Sequence, residues 1–295
     1  MRTSRGTMNG LAAAIAAGML AAIATNAAAQ SSEAAQMVPQ EIRDRGTLTV
    51  GSQQTFPPVE FKKPDETVVS GASASLLREI AKRLELELEY IHGEYASLIP
   101  GLESRRFDMA SGGISDTEER EQKVDFVNYM MSGGSILVRA ADSEKYKTIA
   151  DFCGDTVAML LGSNTILAAL DKANADCEAA GKEKFTVEQL PSAPDARAQL
   201  DLGRVDGYLG DFPALVYFVS NAPGSYAVVG GNYILTPYIT SWAFSKDNTG
   251  LRDAVQKVTQ EMLDDGAYVK LLGEWGLEGG ALPEITVNLP ASKRN

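Results

Sequence analysis

Histidine is almost missing from this chain: His92 is the only one in 295 residues. A single imidazole excludes most Ser/His/Asp and Cys/His catalytic layouts. Cysteine is confined to Cys153 and Cys177, which with one histidine excludes a Cys/His zinc site. No Gly-rich loop ending in lysine is available to cradle a phosphate, and no metal-binding motif occurs, so no cofactor and no metal is expected. Basic residues are fewer than acidic ones, 27 against 39, for a formal net charge of -12. A chain with that balance repels a phosphate backbone, so nucleic acid is excluded as a partner and the acidity reads as a solvated surface. The one long apolar run, Leu11 to Ala24, is too short to span a bilayer.

That run has another use. Arg2 and Arg5 precede it, it is uncharged and alanine-rich, and it ends in "NAAAQ" with Ala27 and Ala29 at the small-residue positions. This is the pattern of a cleaved secretory signal peptide over residues 1–29. No cysteine follows at the cut, so a lipid-anchored mature end is not expected. Cleavage before Gln30 removes two arginines and no acid, which takes the formal charge from -12 to -14 and leaves 266 residues. That length suffices for one large core or two smaller ones. Both cysteines fall in the exported part, where an oxidising compartment favours a disulfide between Cys153 and Cys177 over two buried thiols. Such a cross-link is worth about 3 kcal/mol on the chain-entropy model.

Along the chain, a polar segment to about Gln40 leads into "GTLTVGS", a strand. "ASLLREIAKRLE" puts Leu76, Leu77, Ile80, Ala81 and Leu84 on one helical face, and "LELEY" alternates as a strand. "YASLIPGLESRR" reads as helix and "FDMAS" as strand. The pattern restarts near Ile149 with "TVAML", "NTILAALDKAN", "KFTVEQL", "DARAQLDLG" and "VDGYLGD", and closes on two amphipathic helices, "LRDAVQKVTQEMLDD" and "AYVKLLGEW". Alternating strands and helices in two successive units predict an α/β fold with largely parallel sheets.

The units echo each other. "SRRFDMASGG" and "LGRVDGYLGD" each place an arginine, an apolar residue and an aspartate before a strand, and five residues beyond the aspartates stand Gly113 and Asp211. Equivalent strand ends are where open α/β sheets bind ligands.

Candidate chemistry gathers near those ends. In "SGGISDTEER", Arg120 can hold a carboxylate with two parallel hydrogen bonds, Ser115 and Thr117 add hydroxyls, and Gly112 and Gly113 let a ligand approach the backbone. The same stretch also reads as an ordinary helix start capped by Asp116 or Thr117. "LLGSNT" puts Gly162, Ser163 and Asn164 at a helix N-terminus, whose free N–H groups suit an anion or simply a cap. Asp211 could face an ammonium or be a turn residue. Phe56 and Tyr95 could flank a ligand or pack the core, and Trp242 and Trp275 read as packing. Paired acid/base work by Asp211 with Glu118 or Glu119 would require burial that a sequence does not reveal.

Taken in order, "GTLTVGSQQTFPPVEF", "LIPGLESRRFDMASGGISDTEEREQKVDFVNYMMSGGSILV", "DFCGDTVAMLLGSNT", "LGRVDGYLGDFPALVYF" and "YVKLLGEWGL" resemble the periplasmic solute-binding proteins of polar amino-acid ABC transporters, family 3. The resemblance covers essentially the whole mature chain. It implies a type II periplasmic binding fold: lobe 1 over residues 39–139 plus 236–295, lobe 2 over 140–235, and two crossovers forming a hinge around a ligand cleft. It further implies a periplasmic monomer without catalytic residues, which binds an amino acid or close analogue and hands it to a membrane permease. By position, Arg120, Ser115, Ser163 and Asn164 would hold the α-carboxylate, Asp211 and Gly113 the α-ammonium, and Phe56 and Tyr95 would flank the ligand. Gln53, Leu160 and Gly210 fall at side-chain positions where relatives carry acids or polar groups, which implies a neutral or apolar side chain. Ser73 and Ser75 replace aspartates common in relatives and are not expected to touch ligand. Two alternatives accompany this reading: a dehydratase of the cyclohexadienyl or arogenate type on the same scaffold, and a sensory module that presents its ligand-bound form to a receptor.

Overall fold

A computed structural model describes residues 32–294 except 64 and 232; the signal-peptide assignment lies outside the described residues. Along the chain run α1 (Glu33–Met37), α2 (Gln40–Arg45), β1 (Thr47–Ser52), β2 (Thr55–Phe56), β3 (Glu60–Phe61), α3 (Ala72–Arg83), β4 (Glu87–His92), α4 (Leu98–Glu103), β5 (Met109–Ser115) and β6 (Val124–Arg139). There follow β7 (Thr156–Leu160), α5 (Asn164–Ala179), β8 (Thr186–Leu190), α6 (Ala193–Asp201), β9 (Gly207–Asp211), α7 (Phe212–Asn221), β10 (Tyr226–Val228), β11 (Thr236–Ser245), α8 (Thr249–Asp264) and α9 (Ala267–Gly273).

The main sheet has the order β4-β1-β5-β11-β6-β9-β7-β8, with β10 beside β6. Read from either end, it repeats one arrangement. β1 lies parallel between β4 and β5, and β7 lies parallel between β8 and β9. The two long strands β6 and β11 run antiparallel to each other between these halves and antiparallel to β9 and β5 respectively. Two α/β units thus share a two-strand spine.

The echo between the units has a physical basis in two aspartates. Asp108 Oδ2 accepts from Thr49 N at 2.8 Å, and Asp108 N donates to Thr49 O at 3.1 Å. Asp206 Oδ2 accepts from Thr156 N at 3.0 Å, and Asp206 N donates to Thr156 O at 2.7 Å. Each aspartate locks the start of its own strand to the first strand of its unit. Gly113 and Asp211 then emerge at corresponding C-terminal ends.

Separate cores hold the units. Leu76, Leu77 and Ile80 of α3, with Leu251, Val255 and Val258 of α8, pack against Leu48, Val50, Met109 and Trp242. Ile136, Phe152, Val157, Met159, Leu170 and Leu209 form the other. The predicted disulfide Cys153–Cys177 is present in that second core, with a Cα–Cα distance of 5.8 Å. Trp242 is fully buried and stacked on Tyr129 at 4.2 Å between ring centroids, as its packing role requires.

Three local expectations need correction. The polar lead-in to Gln40 contains α1 and continues into α2, because Ala34, Ala35, Val38 and Ile42 make an apolar face and the Ser32 side chain caps α1 through Ala35 N at 3.1 Å. The helix expected over 95–106 is a single 3-10 turn at Tyr95–Ser97 followed by the short α4, which ends at Glu103. The strand read at "FDMAS" starts two residues later and extends to Ser115, carried by its pairing with β11. No helix among the described residues is long and apolar enough to cross a membrane.

Candidate functional site

The C-terminal ends of β1, β5, β7 and β9 meet across one cleft, enclosing about 630 Å³ of space partly open to solvent. Ten of the residues singled out from sequence line it: Gln53, Phe56, Tyr95, Gly112, Gly113, Ser115, Leu160, Ser163, Gly210 and Asp211.

Gly113 stands at φ +86, a conformation costly for any residue with a Cβ. A Cβ added there would lie 2.6 Å from Phe56 Cε1, so the ring is seated directly over the bare backbone of β5. Tyr95 borders the same wall, its hydroxyl 3.5 Å from Gly113 O.

On the opposite wall, Asp211 precedes α7 without capping it. Tyr238 of β11 donates its hydroxyl to Asp211 Oδ1. Burial pushes the Asp211 carboxyl up to about 7, with its own backbone N–H pulling the other way. This acid is the one ionisable carboxyl among the lining residues. It is poised to gain from a cation, which would restore its charged form.

Arg120 takes a different place. It is buried beside the cavity, in an adjoining groove that it lines with Glu119, Lys123 and Asn164 and that shares Tyr95. Its Nη1 donates to Ser115 O at 2.9 Å and to Ser115 Oγ at 2.7 Å. Nη2 donates to Gly162 O of the other unit at 2.8 Å. The Thr117 hydroxyl accepts from Arg120 N at 3.2 Å, so the capping role foreseen for Thr117 coexists with a buried guanidinium. Glu118 is exposed and bonded to Ser292 at 2.9 Å, and neither it nor Glu119 lines the cavity, so neither sits there to pair with Asp211.

Helix phase decides which residues of "GSNT" face the solute. Ser163 precedes α5 without a side-chain cap, and Thr165 and Ile166 join it on the cavity wall, whereas Asn164 turns outward into the groove. Thr165 Oγ1 lies 3.1 Å from Ser115 Oγ, a second polar link across the cleft. A third runs from Gln53 Nε2 to Pro191 O at 3.3 Å. The two units are therefore in contact around the cavity.

Sequence reasoning passed over Thr55, Thr165, Tyr208, Phe218 and Tyr238, all of which line the cavity. Thr165 carried no periodic signal, since two residues of helix rotate it about 200° from Ser163 and the N-cap itself lies outside the helical phase. Tyr238 had no local signal, since it arrives on the second crossover strand.

Beneath Gly112 lies another residue the sequence did not single out. Glu60 is fully buried, and its carboxylate accepts from the hydroxyls of Ser52, of Ser111 at 2.7 Å, of Ser73 at 3.1 Å and of Tyr90 at 3.3 Å. Burial pushes its pKa above the usual carboxylate range, and the hydroxyls oppose that. Ser73 also accepts from Trp242 Nε1 at 3.0 Å. Ser75 accepts from Trp275 Nε1 at 3.2 Å. Neither serine lines the cavity.

Two α/β lobes on a two-strand spine, with a cavity between facing strand ends, define a ligand-binding protein of the type II periplasmic binding class. The chain belongs to the bacterial extracellular solute-binding proteins, family 3, whose sequence model matches residues 48–278. It is 31% identical to the arginine-binding protein ArgT of Corynebacterium glutamicum over 85% of this chain and 81% of that one. It is 29% identical to the L-cystine-binding protein TcyA of Bacillus subtilis over 79% and 82% respectively. Among solved structures it is similar to the ancestral amino acid-binding protein AncCDT-1, a precursor of cyclohexadienyl dehydratase. That match has a TM-score of 0.69 and 28% identity, and covers 80% of this chain and 97% of that one.

Proposed function

We propose that this protein captures an amino acid or a close analogue in the periplasm, after removal of residues 1–29, and delivers it as a non-catalytic monomer to the permease of an ABC transporter. The observation that carries the reading is the cavity itself. It sets one half-buried acid, Asp211, against a wall of hydroxyls, bare strand backbone and a helix N-terminus, with Arg120 immediately beside Ser115. That is an ammonium acceptor facing a carboxylate receptor. Amino-acid binders among the relatives support it.

In this reading Asp211, with Gly113, takes the α-ammonium. Arg120, Ser115, Ser163 and Asn164 take the α-carboxylate, which replaces Gly162 O as a partner of Arg120 Nη2. Phe56 and Tyr95 flank the ligand. Gln53, Leu160 and Gly210 meet the side chain, with Thr55, Ala193, Tyr208 and Phe218 around them. No second acid lines the cavity, which favours a neutral side chain even though one relative is named for arginine. Lobe 1 comprises 39–139 with 236–295 and lobe 2 comprises 140–235, and the ligand stabilises closure by touching both.

The experiment is thermal unfolding of the chain from Gln30, stripped of carried-over ligand by unfolding and refolding, against amino acids, amines and simple carboxylates. A true ligand at a hundred times its Kd adds about 2.7 kcal/mol, which raises Tm by roughly 5–10 °C in a chain of this size. No shift across the panel would refute the amino-acid reading.

A second reading follows from the likeness to a dehydratase precursor: a periplasmic enzyme acting on a cyclic amino-acid precursor. Tyr95 and Asp211 are the proton-bearing groups at the cavity that could serve it. Product formation from arogenate by the purified chain, abolished by Asp211→Asn, would favour it over the receptor.

A further inference from the structure

The stretch matched by the family model ends at residue 278, yet the tail that follows makes contacts that bear on Arg120. Val287 pairs antiparallel with Val127 of β6. Asn128 N donates to Thr286 O at 2.9 Å, and Asn288 N donates to Phe126 O at 3.1 Å. The tail thereby adds a short extended segment to β6, opposite β11.

Asn128, fully buried, joins this tail to the site. Its amide oxygen accepts from Thr286 Oγ1 at 2.8 Å, Leu289 N at 3.2 Å and Arg294 Nη2 at 3.3 Å. Its Nδ2 donates to Asp116 Oδ2 and to Ser241 Oγ, both at 2.8 Å. Asp116 is the neighbour of Ser115, on which Arg120 rests. One amide therefore transmits the position of the tail to the strand end that seats the guanidinium.

The tail also grips the turn from outside. Ser292 Oγ donates to Glu118 Oε1 at 2.9 Å, and Lys293 Nζ donates to Glu121 Oε2 at 2.8 Å. Glu118 and Glu121 straddle Arg120 in a turn closed by Glu121 N on Thr117 O at 2.9 Å. Asp116 Oδ1 and Glu121 Oε1 are both buried without a partner. Burial, with Glu121 adding to it, pushes Asp116 up to about 7, while the hydrogen bond from Asn128 and, more weakly, the charge of Lys293 act in the opposite sense. Two carboxyls this close share one proton or need a cation beside them, and Lys293 is the cation that the tail sets against Glu121.

We propose that the C-terminal tail is a strap that fixes the Arg120 turn, with Asn128 and Lys293 as positioning residues for the carboxylate grip. Neither residue lines the cavity. The effect on affinity rests on the role given to Arg120 above; the effect on the turn does not.

The test uses the mature chain, Lys293→Gln, Lys293→Arg, and a chain ending at Pro290. Amide hydrogen exchange is followed at Glu121 and Lys123, and calorimetry measures binding of L-arginine, L-glutamine, L-histidine and L-cystine. We expect faster exchange at those two amides, affinity weakened about threefold by Lys293→Gln and about tenfold by truncation, and recovery in Lys293→Arg. A merely stabilising tail would lower Tm and leave exchange at the turn in step with the rest of β5. Unchanged exchange at Glu121 and Lys123 in Lys293→Gln would overturn the strap, including where the truncated chain does not fold. If the unmodified chain binds none of the four amino acids, the proposed ligand class falls while exchange at the turn still decides the strap.

Discussion

Arg120 Nη2 donates to the carbonyl oxygen of Gly162 at 2.8 Å, so a guanidinium on one α/β unit is satisfied by the backbone of the other. The bond links the two units across the cleft, and in the proposed reading Nη2 turns from it to a ligand carboxylate. A carbonyl is a neutral acceptor and a carboxylate a charged one, so the exchange favours the ligand.

Arg120→Lys is expected to weaken amino-acid binding by about 2–3 kcal/mol, since a single ammonium cannot span Ser115 and a carboxylate in the same plane. Calorimetry with the preferred amino acid measures it. An unaltered Kd would remove Arg120 from the site.

Asp211→Asn is expected to penalise amino acids and spare carboxylates that lack an amine. Its pKa adds a second readout. The carboxyl goes from its ordinary value of 3.8 to about 7 in the folded chain, so its contribution to folding is fully present below pH 3.8 and is lost as pH rises through 7. Removing the acid should raise Tm by about 10 °C at pH 8 and by little at pH 4. A gain that is the same at both values would contradict the buried, proton-bearing carboxyl.

Ligand affinity should follow the same group. An ammonium favours the ionised Asp211, so binding below pH 7 expels a proton. Affinity is expected to fall by up to about tenfold per pH unit between 7 and 5, and titration in two buffers of different ionisation enthalpy counts the proton. A flat profile in the unmodified chain would detach Asp211 from the ammonium.

Gly113→Ala forces a Cβ to within 2.6 Å of Phe56 Cε1 at a backbone angle of φ +86. Conformational cost alone is about 1–2 kcal/mol, and the displaced ring should cost binding in addition. Loss of affinity beyond the loss of stability is the expected pattern. Intact affinity would take Phe56 out of the ligand's surroundings.

Cys153→Ser with Cys177→Ser opens a cross-link spanning 24 residues. The expected cost is about 3 kcal/mol, seen as a lower Tm, with binding intact in the cold because neither sulfur lines the cavity. Equal Tm in reduced and oxidised protein would refute it.

Much of this molecule is written locally. Periodicity located α3, α5, α8 and the strands of both units, because a helix face or an alternating strand repeats within a few residues. The aspartates at 108 and 206 advertised two equivalent units, because each needs the same short contact with its neighbouring strand. Residue chemistry with family resemblance named ten of the cavity's lining residues. Beyond that the sequence was silent. It could not reveal that Arg120 bonds Gly162, that Tyr238 serves Asp211, or that Glu60 sits in a cage of four hydroxyls, since these pairs are brought together only when β6 and β11 align the two halves. The phase of α5 separated Thr165 from Asn164, and the pairing of the tail with β6 put Lys293 against Glu121. Sequence by itself determined the elements and the kinds of group available; the tertiary structure decided which of them meet, because burial and hydrogen-bond partners are set by distances across the cleft that no local pattern encodes.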